Sequence, residues 1–333
     1  MAEGSPCEHR QYAHCESGVV TALLARQGVE ISEPMVFGIA GGLTFVYLPF
    51  LKITGMPLVS YRMFPGAIIN GAARGLGVRF EKRRYADRAR ALAELRALVD
   101  AGECVGLQTS VYWLPYFPPE MRFQFNAHNL LVTGREGDEF LVSDPVFEHS
   151  VRVRQEDLQN ARFARGSLAP KGFLYRVVRV DPAADRAEAI KSALRKTVRM
   201  MLHAPLPFIG VKGIDFLARR IEGLAAGDPR HARLLLGHIV RMQEEIGTGG
   251  GGFRFMYAAF LQEAGRLLSS APLAEASEMM TEAGDQWRRF ALACARICKG
   301  KTERIAAGEA AALLRQCAAQ ERLVYERLKA ATL

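Results

Sequence analysis

The spacing of hydrophobic and polar positions changes near residue 180. Before this point, short apolar segments typical of strands, such as residues 44–48 and 105–110, alternate with amphipathic helical segments. After it, apolar residues recur every three to four positions, which predicts only helices. Six such segments follow one another: 186–202, 210–224, 229–246, 253–268, 273–299 and 302–329. We therefore predict an α+β domain over residues 1–180 and an all-α helical domain over residues 181–333.

The first predicted helix begins beside a cysteine. Val19, Val20, Leu23 and Leu24 recur at helical spacing, which places Cys15 near the N-terminus of that helix. The positive end of the helix dipole and the unpaired first-turn amides favour a thiolate, the form of cysteine that attacks carbonyl carbons. Cys15 is therefore a candidate nucleophile. The alternative is that Cys15 is a small buried hydrophobic residue.

A hairpin is predicted over residues 126–144, with its turn in the polar segment 135–138. Folding the chain there brings His128 opposite, or nearly opposite, Asp144. Alternation puts both side chains on the face that carries the hairpin's larger apolar residues. A carboxylate beside an imidazole fixes its tautomer and stabilises its protonated form, so the pair is a candidate base and orienter for Cys15. A satisfied His–Asp pair in a core would explain the hairpin but not Cys15.

A glycine-rich segment, residues 247–254, interrupts the helical half. It has the spacing G-x-G-x-x-G but follows a predicted helix, whereas a dinucleotide fingerprint follows a strand. It also lacks the Gly-Lys-Ser/Thr of a P-loop. Backbone amides around Gly249, together with Arg254 one turn into the next helix, form a candidate cradle for a phosphate or carboxylate. The alternative is a flexible connector.

Composition narrows the class of protein. The chain has 333 residues, 49% of them hydrophobic, which is enough for two domains and too apolar for disorder. No apolar run reaches the length of a membrane span, and residues 1–11 lack a hydrophobic signal core. We therefore expect a soluble, cytoplasmic protein. Six scattered cysteines also favour a reducing compartment.

Charge and cysteine spacing argue against two further functions. The formal charge is +9, but no aromatic residues interleave with the basic ones in a stacking motif, so we predict no nucleic-acid partner. Cys294 and Cys298 lie four residues apart without a second pair of ligands nearby, which indicates core thiols rather than a zinc site. No metal is predicted.

Motifs in both halves carry a family resemblance. The first half resembles the butirosin biosynthesis protein H (BtrH) N-terminal family, and the helical half resembles the companion domain usually found behind it. In the first half the motifs are His14-Cys15-Glu16-Ser17, Ser32-Glu33, Phe37-Gly38, Gly41-Gly42-Leu43, Tyr47, Asn126-Ala127-His128 and Val142-Ser143-Asp144-Pro145. In the second half they are Gly247-Thr248-Gly249-Gly250 and Phe253-Arg254-x-x-Tyr257.

This resemblance implies a papain-like, C39-like cysteine-peptidase fold and an acyltransferase. The enzyme would take an acyl group from the phosphopantetheine of an acyl carrier protein and deliver it to a small-molecule acceptor, an amine or hydroxyl, without a cofactor of its own. By resemblance, Cys15 is the nucleophile, His128 the base, Asp144 the orienter and Gln11 the oxyanion donor. The expected substrate contacts are His14, Tyr47, Gly249 and Arg254.

Two other functions stay open. A thioesterase or a cysteine peptidase would use the same three residues with water as the acceptor. A binding or scaffolding protein would keep the fold but leave Cys15 with ordinary reactivity. The sequence also leaves open whether the helical half shapes an acceptor pocket, docks a carrier protein or forms a homodimer.

Overall fold

The computed structural model describes residues 7–53, 55–226, 228–300 and 305–332. Its strands are β1 (Leu43–Ile53), β2 (Met56–Arg62), β3 (Val78–Arg83), β4 (Val105–Thr109), β5 (His128–Glu136), β6 (Glu139–Ser143), β7 (Val151–Arg154) and β8 (Leu174–Val180). Its helices are α1 (Cys15–Arg26), α2 (Glu33–Ile39), α3 (Ala67–Gly75), α4 (Arg88–Asp100), α5 (Gln155–Arg162), α6 (Arg186–His203), α7 (Gly210–Glu222), α8 (Pro229–Val240), α9 (Arg254–Leu267), α10 (Ala271–Cys298) and α11 (Ile305–Thr332).

The chain forms two compact units. The first contains the chain as far as Val36 and then Ile68–Ala184, and the second contains Phe37–Ala67 and the chain from Asp185 onward. The predicted division near residue 180 assigned all of residues 1–180 to one domain. The structure instead groups residues 37–67 with the helices, because the hairpin they form packs against α6 and α7.

An antiparallel sheet with the strand order β3-β8-β4-β5-β6-β7 forms the centre of the first unit. Its apolar core combines sheet residues such as Leu107, Leu130 and Val142 with Leu95 of α4 and Leu158 of α5. Helix α1 packs against β4, β5 and β8. His128, the first residue of β5, pairs with Thr109 of β4, and pairing of β5 with β6 begins at Leu131.

The second unit joins the β1–β2 hairpin to the helices from α6 onward. A bridge between Val46 and Ile209 links the hairpin to the segment before α7, and the Tyr47 N–H donates to the Phe208 carbonyl at 3.0 Å. Trp287 of α10 is fully buried. The ring centroids of Phe45 and Tyr61 lie 5.7 and 5.4 Å from the centroid of its ring. These aromatic contacts explain why the hairpin belongs to this unit.

The secondary structure agrees closely with the periodicity of the sequence. The predicted α+β part and the helical part that follows it are both confirmed. The predicted helix 229–246 differs in that α8 ends at Val240 and continues as a π-helical turn, Arg241–Glu245. The helix predicted from Thr302 corresponds to α11, and residues 302–304 lie outside the described residues. None of the described helices is both long and apolar enough to cross a bilayer.

One cysteine pair was not anticipated. Cys7 and Cys104, which are 97 residues apart, form a disulfide in the first unit. The scattered cysteines had favoured a reducing compartment, and their spacing contained no signal for this pair. Cys294 is buried in α10, as predicted for a core thiol, and Cys298 donates a hydrogen bond to the Arg233 carbonyl at 3.4 Å.

Candidate active site

The first unit brings Cys15, His128 and Asp144 together. Cys15 is the first residue of α1, and His128 is the first residue of β5. The His128 Nε2 lies 2.7 Å from Asp144 Oδ2, and the Cys15 side chain interacts with the same imidazole. All three residues are buried, with exposed fractions of 6%, 4% and 0%. The three side chains of the predicted relay therefore lie together, and their catalytic roles stay a prediction.

The hairpin register explains how His128 reaches Asp144. Leu131 pairs with Ser143, and the pairing shifts by one residue between Val132 and Gly134. Extending this register past the end of β6 puts Asp144 opposite Leu130, so that His128 is its diagonal neighbour on the same face. The prediction of near-opposite positions therefore holds with a diagonal rather than a direct pair.

Asp144 accepts two hydrogen bonds besides the one with His128. The Tyr116 hydroxyl donates to Oδ2 at 2.7 Å, and the Val146 N–H donates to Oδ1 at 3.2 Å. Burial raises the pKa of Tyr116 well above its usual value, and the Asp144 carboxylate raises it further. The Tyr116 hydroxyl therefore keeps its proton, and remains a hydrogen-bond donor, at neutral pH. It holds the carboxylate that in turn orients the imidazole.

The pKa of His128 decides which form of the relay is present. Burial by itself lowers this pKa, but the charge of Asp144, its hydrogen bond and the smaller contributions of Cys15 outweigh burial and raise it to about 10. His128 is therefore an imidazolium at neutral pH. Because Nε2 faces Asp144, Nδ1 is the ring nitrogen left to serve Cys15.

A buried carboxylate supports the turn that leads into Cys15. Glu33 accepts hydrogen bonds from the Ala13 N–H at 2.8 Å and the His14 N–H at 2.9 Å, and from the Ser17 hydroxyl at 2.8 Å. Burial raises the pKa of Glu33, while these three hydrogen bonds act in the opposite direction. Glu33 thus fixes the backbone on the N-terminal side of the nucleophile.

Aromatic rings cover the imidazole and carboxylate. The Phe117 ring meets the His128 ring edge to face, with centroids 5.4 Å apart, and Phe147 packs on both Phe117 and Tyr116. Rings in these positions exclude water from the His128–Asp144 pair. A drier environment strengthens the charge interaction between the two side chains.

The remaining predicted residues of the first unit have other contacts. Gln11 is exposed, and its side-chain amide donates to the Val146 carbonyl at 3.4 Å. His14 is buried and is the N-cap of α1, since its Nδ1 accepts from the Ser17 N–H at 3.3 Å. This placement gives His14 a role in starting the helix. Its predicted contact with substrate stays a prediction.

Tyr47, Gly249 and Arg254 lie in the second unit. Arg254 is fully buried and pairs with Glu321, with Nε to Oε1 at 2.8 Å and Nη2 to Oε2 at 3.2 Å. The Gly251 N–H donates to both carboxylate oxygens of Glu244 at 3.2 Å. Carboxylates of the chain therefore occupy the predicted anion cradle, so that Arg254 has a structural role.

Sequence reasoning missed Tyr116 and Glu33 as parts of this site. Residues 113–119 are rich in aromatic side chains and proline, but nothing in their pattern distinguishes the hydroxyl that reaches Asp144 from the neighbouring rings. Glu33 entered only as part of a family motif.

Among the described residues no group of three or more His, Cys, Asp and Glu side chains is arranged to hold a metal ion.

Two family models match successive parts of the chain. The family model described as "Butirosin biosynthesis protein H, N-terminal" matches residues 14–145, which confirms the resemblance inferred from the sequence. The model described as "Domain of unknown function (DUF4872)" matches residues 156–328. No curated protein matches. A solved structure assigned as a C39-like peptidase, from Bacillus anthracis, is 14% identical over 51% of this chain and 90% of its own, with a TM-score of 0.35.

The two family matches follow each other along the chain without overlap. The first contains Cys15, His128 and Asp144, and the second contains most of the helices and covers more than half of the residues. The chain therefore belongs to the DUF4872 family and carries a butirosin biosynthesis protein H N-terminal domain ahead of that domain.

Proposed function

We propose that this protein is a cysteine acyltransferase that takes an acyl group from a carrier-protein thioester and delivers it to an amine or hydroxyl. One observation carries the proposal: a cysteine at the start of a helix beside a buried imidazolium that a carboxylate orients. An imidazolium next to a cysteine stabilises the thiolate, which is the nucleophilic form.

In the first step the Cys15 thiolate attacks the thioester carbonyl and forms a carbon–sulfur bond. The N–H of Cys15 lies in the first turn of α1, where helix geometry provides no internal acceptor, and it is our candidate donor to the oxyanion. The tetrahedral intermediate expels the pantetheine thiolate, which takes the proton of His128. Cys15 is then acylated, and His128 is neutral.

In the second step the neutral His128 accepts a proton from the incoming amine or hydroxyl. That nucleophile attacks the acyl-cysteine carbonyl, and the Cys15 thiolate leaves. The new amide or ester departs, and the imidazolium–thiolate pair is restored. Asp144 keeps the ring in one orientation through both steps, because it holds Nε2 at 2.7 Å.

The donor is inferred from chemistry and from the family resemblance. Exchange of a thiolate with a thioester is nearly isoenergetic, so a cysteine nucleophile suits a pantetheine thioester. The formal charge of +9 supports a carrier protein as the partner, because carrier proteins are typically acidic and long-range attraction raises the rate of encounter.

Intact-protein mass spectrometry tests the proposal directly. The full chain is mixed with a panel of acyl-pantetheine thioesters, alongside the Cys15→Ala variant. Cys298→Ala is the matched control, since Cys298 is a partly exposed free cysteine remote in sequence. We expect an acyl adduct on the native protein and on Cys298→Ala but none on Cys15→Ala, and faster loss of the adduct to added amines than to water.

The other outcomes contradict the proposal in distinct ways. Rapid loss of the adduct to water, whatever amine is present, would identify a thioesterase or peptidase that uses the same residues. No adduct with any thioester, together with ordinary kinetics of Cys15 alkylation, would identify a binding protein that retains the fold.

A further inference from the structure

The second unit contains a basic cavity that the proposed reaction does not use. Its volume is about 370 Å³, and it lies between the β1–β2 hairpin, the end of α7 and the start of α8. Four basic side chains line it, namely Lys52, Arg219, Arg220 and His231. Among the described residues that line the cavity there is no Asp or Glu. Four basic groups without a carboxylate form a region that attracts anions.

The position of the two arginines at a helix end does not by itself explain this cluster. Arg219 and Arg220 lie in the last turn of α7, where the helix dipole favours basic residues. Lys52, however, comes from β1 and His231 from the first turn of α8, and both line the same cavity. Three separate elements therefore place exposed basic side chains around one cavity at the surface.

Aromatic side chains position both arginines. Arg220 lies beside Tyr47, a cavity residue that is only 1% exposed; burial raises the pKa of the Tyr47 hydroxyl, and the neighbouring Arg220 guanidinium lowers it. The Arg219 guanidinium lies over the Phe216 ring, 5.9 Å from its centroid, and the Phe216 and Tyr47 rings are 6.0 Å apart. A guanidinium held in place loses less entropy when it binds an anion, and two of them suit bidentate contacts to phosphate.

The walls of the cavity indicate what accompanies the anion. Pro49, Pro57, Leu224 and Leu235 line it with apolar surface. Its volume is within the range of small-molecule sites and exceeds the needs of a bare phosphate ion. We propose that this cavity binds an organic phosphate ester, with the phosphate on Arg219 and Arg220 and the organic part against the apolar wall.

This inference does not rest on the proposed acyl transfer, because every residue that lines the cavity belongs to the second unit. The phosphate ester has two candidate sources: a free nucleotide-like metabolite, or the phosphopantetheine arm of a carrier protein. The two share the phosphate but differ in the organic group, so probes of both kinds distinguish them.

Isothermal titration calorimetry at about 150 mM salt tests the site on the full chain. The probes are adenosine 5′-monophosphate and pantetheine 4′-phosphate, each compared with its unphosphorylated counterpart, and inorganic phosphate alone. The test variant is Arg219→Gln/Arg220→Gln. The matched control is Arg230→Gln/Arg233→Gln, which removes two exposed arginines from α8 that do not line the cavity.

We expect at least one phosphate ester to bind at least about tenfold more tightly than its unphosphorylated counterpart, and the test variant to lose at least about tenfold in affinity. The control should keep the native affinity. If the test variant does not fold, as judged by circular dichroism, the single variant Lys52→Gln replaces it, since Lys52 is exposed. Three results would overturn the proposal: unphosphorylated compounds that bind as tightly as the phosphate esters, no binding of any probe, or equal losses of affinity in the test and control variants. Tightest binding of pantetheine 4′-phosphate would assign the site to the carrier arm, and that of adenosine 5′-monophosphate to a free metabolite.

Discussion

Replacing Asp144 by asparagine should change the protonation state of His128 at neutral pH. In the native protein the pKa of His128 is raised to about 10, chiefly through the charge and hydrogen bond of Asp144, against the effect of burial. At pH 7.5 this pKa gives about 300 imidazolium rings for each neutral one. Without the carboxylate charge, burial takes the pKa below its ordinary value of about 6.5, and the imidazolium falls to about one tenth or less.

Histidine NMR measures this change directly. The Hε1 resonance of His128, assigned by comparison with His128→Gln, is followed from pH 5.5 to 8.5. We expect a constant imidazolium shift in the native protein and a neutral ring in Asp144→Asn over most of this range. Asp138→Asn is the matched control, since Asp138 lies in the turn of the same hairpin with a side chain that is 86% exposed. An imidazolium that persists in Asp144→Asn would show that other charges hold the proton.

The change in the pKa of His128 also predicts that the stabilities of the native protein and of Asp144→Asn depend on pH in opposite directions. A histidine whose pKa is raised on folding contributes stability that is present below about pH 6.5 and is lost as the pH rises toward 10. In Asp144→Asn the folded pKa is lowered instead, so that the contribution of His128 increases with pH up to about 6.5 and then stays constant. Urea unfolding from pH 6 to 9 should therefore show a native stability that declines relative to that of the variant. Parallel curves would refute this reasoning.

Three further substitutions test other contacts, each by urea unfolding. Tyr116→Phe removes a donor to the Asp144 carboxylate and should lower the unfolding free energy by about 1.5–3 kcal/mol. Its control is Tyr112→Phe, at an exposed tyrosine nearby in the chain, which should leave the unfolding free energy unchanged. Similar values for both variants would refute the role of Tyr116. Glu33→Gln removes a charged acceptor from the turn before Cys15 and should cost about 1–3 kcal/mol, and an equal effect of Glu30→Gln, at an exposed position, would contradict this. Arg254→Met leaves Glu321 buried without its ion-pair partner and should lower the unfolding free energy by about 3–5 kcal/mol. Its control, Arg315→Met, breaks an exposed ion pair with Glu222 and should lower it by about 0–1 kcal/mol. A similarly small loss in Arg254→Met would show that the buried ion pair is dispensable.

Local patterns in the sequence were sufficient for most elements and for the three residues of the relay. Helical spacing after Cys15 identified α1, because the periodicity of a helix depends on residues three and four positions apart. The hairpin was also predictable from local pattern, because its turn and its two strands are adjacent in the chain. His128 and Asp144 could therefore be paired from the residues alone, and the structure places them 2.7 Å apart.

Contacts between distant segments could not be read in this way. The hydroxyl of Tyr116 reaches Asp144 from 28 positions away, and the Cys7–Cys104 disulfide spans 97. The glycine-rich segment was correctly placed before α9, yet only the fold shows that Glu244 and Glu321 occupy the expected anion cradle. Likewise, Tyr47 belonged to a recognised motif, but the cavity around it requires side chains from α7 and α8.

The sequence by itself thus determined the order of the elements, the place of Cys15 at the start of α1, the pairing of His128 with Asp144, and the start of the helical part. Tertiary structure decided which carboxylates are already paired, which hydroxyl supports Asp144, and that residues 37–67 pack with the helices. The physical reason is the range of the interactions. Periodicity and turn preference act between near neighbours, whereas burial and ion pairing depend on which distant segments the folded core brings into contact.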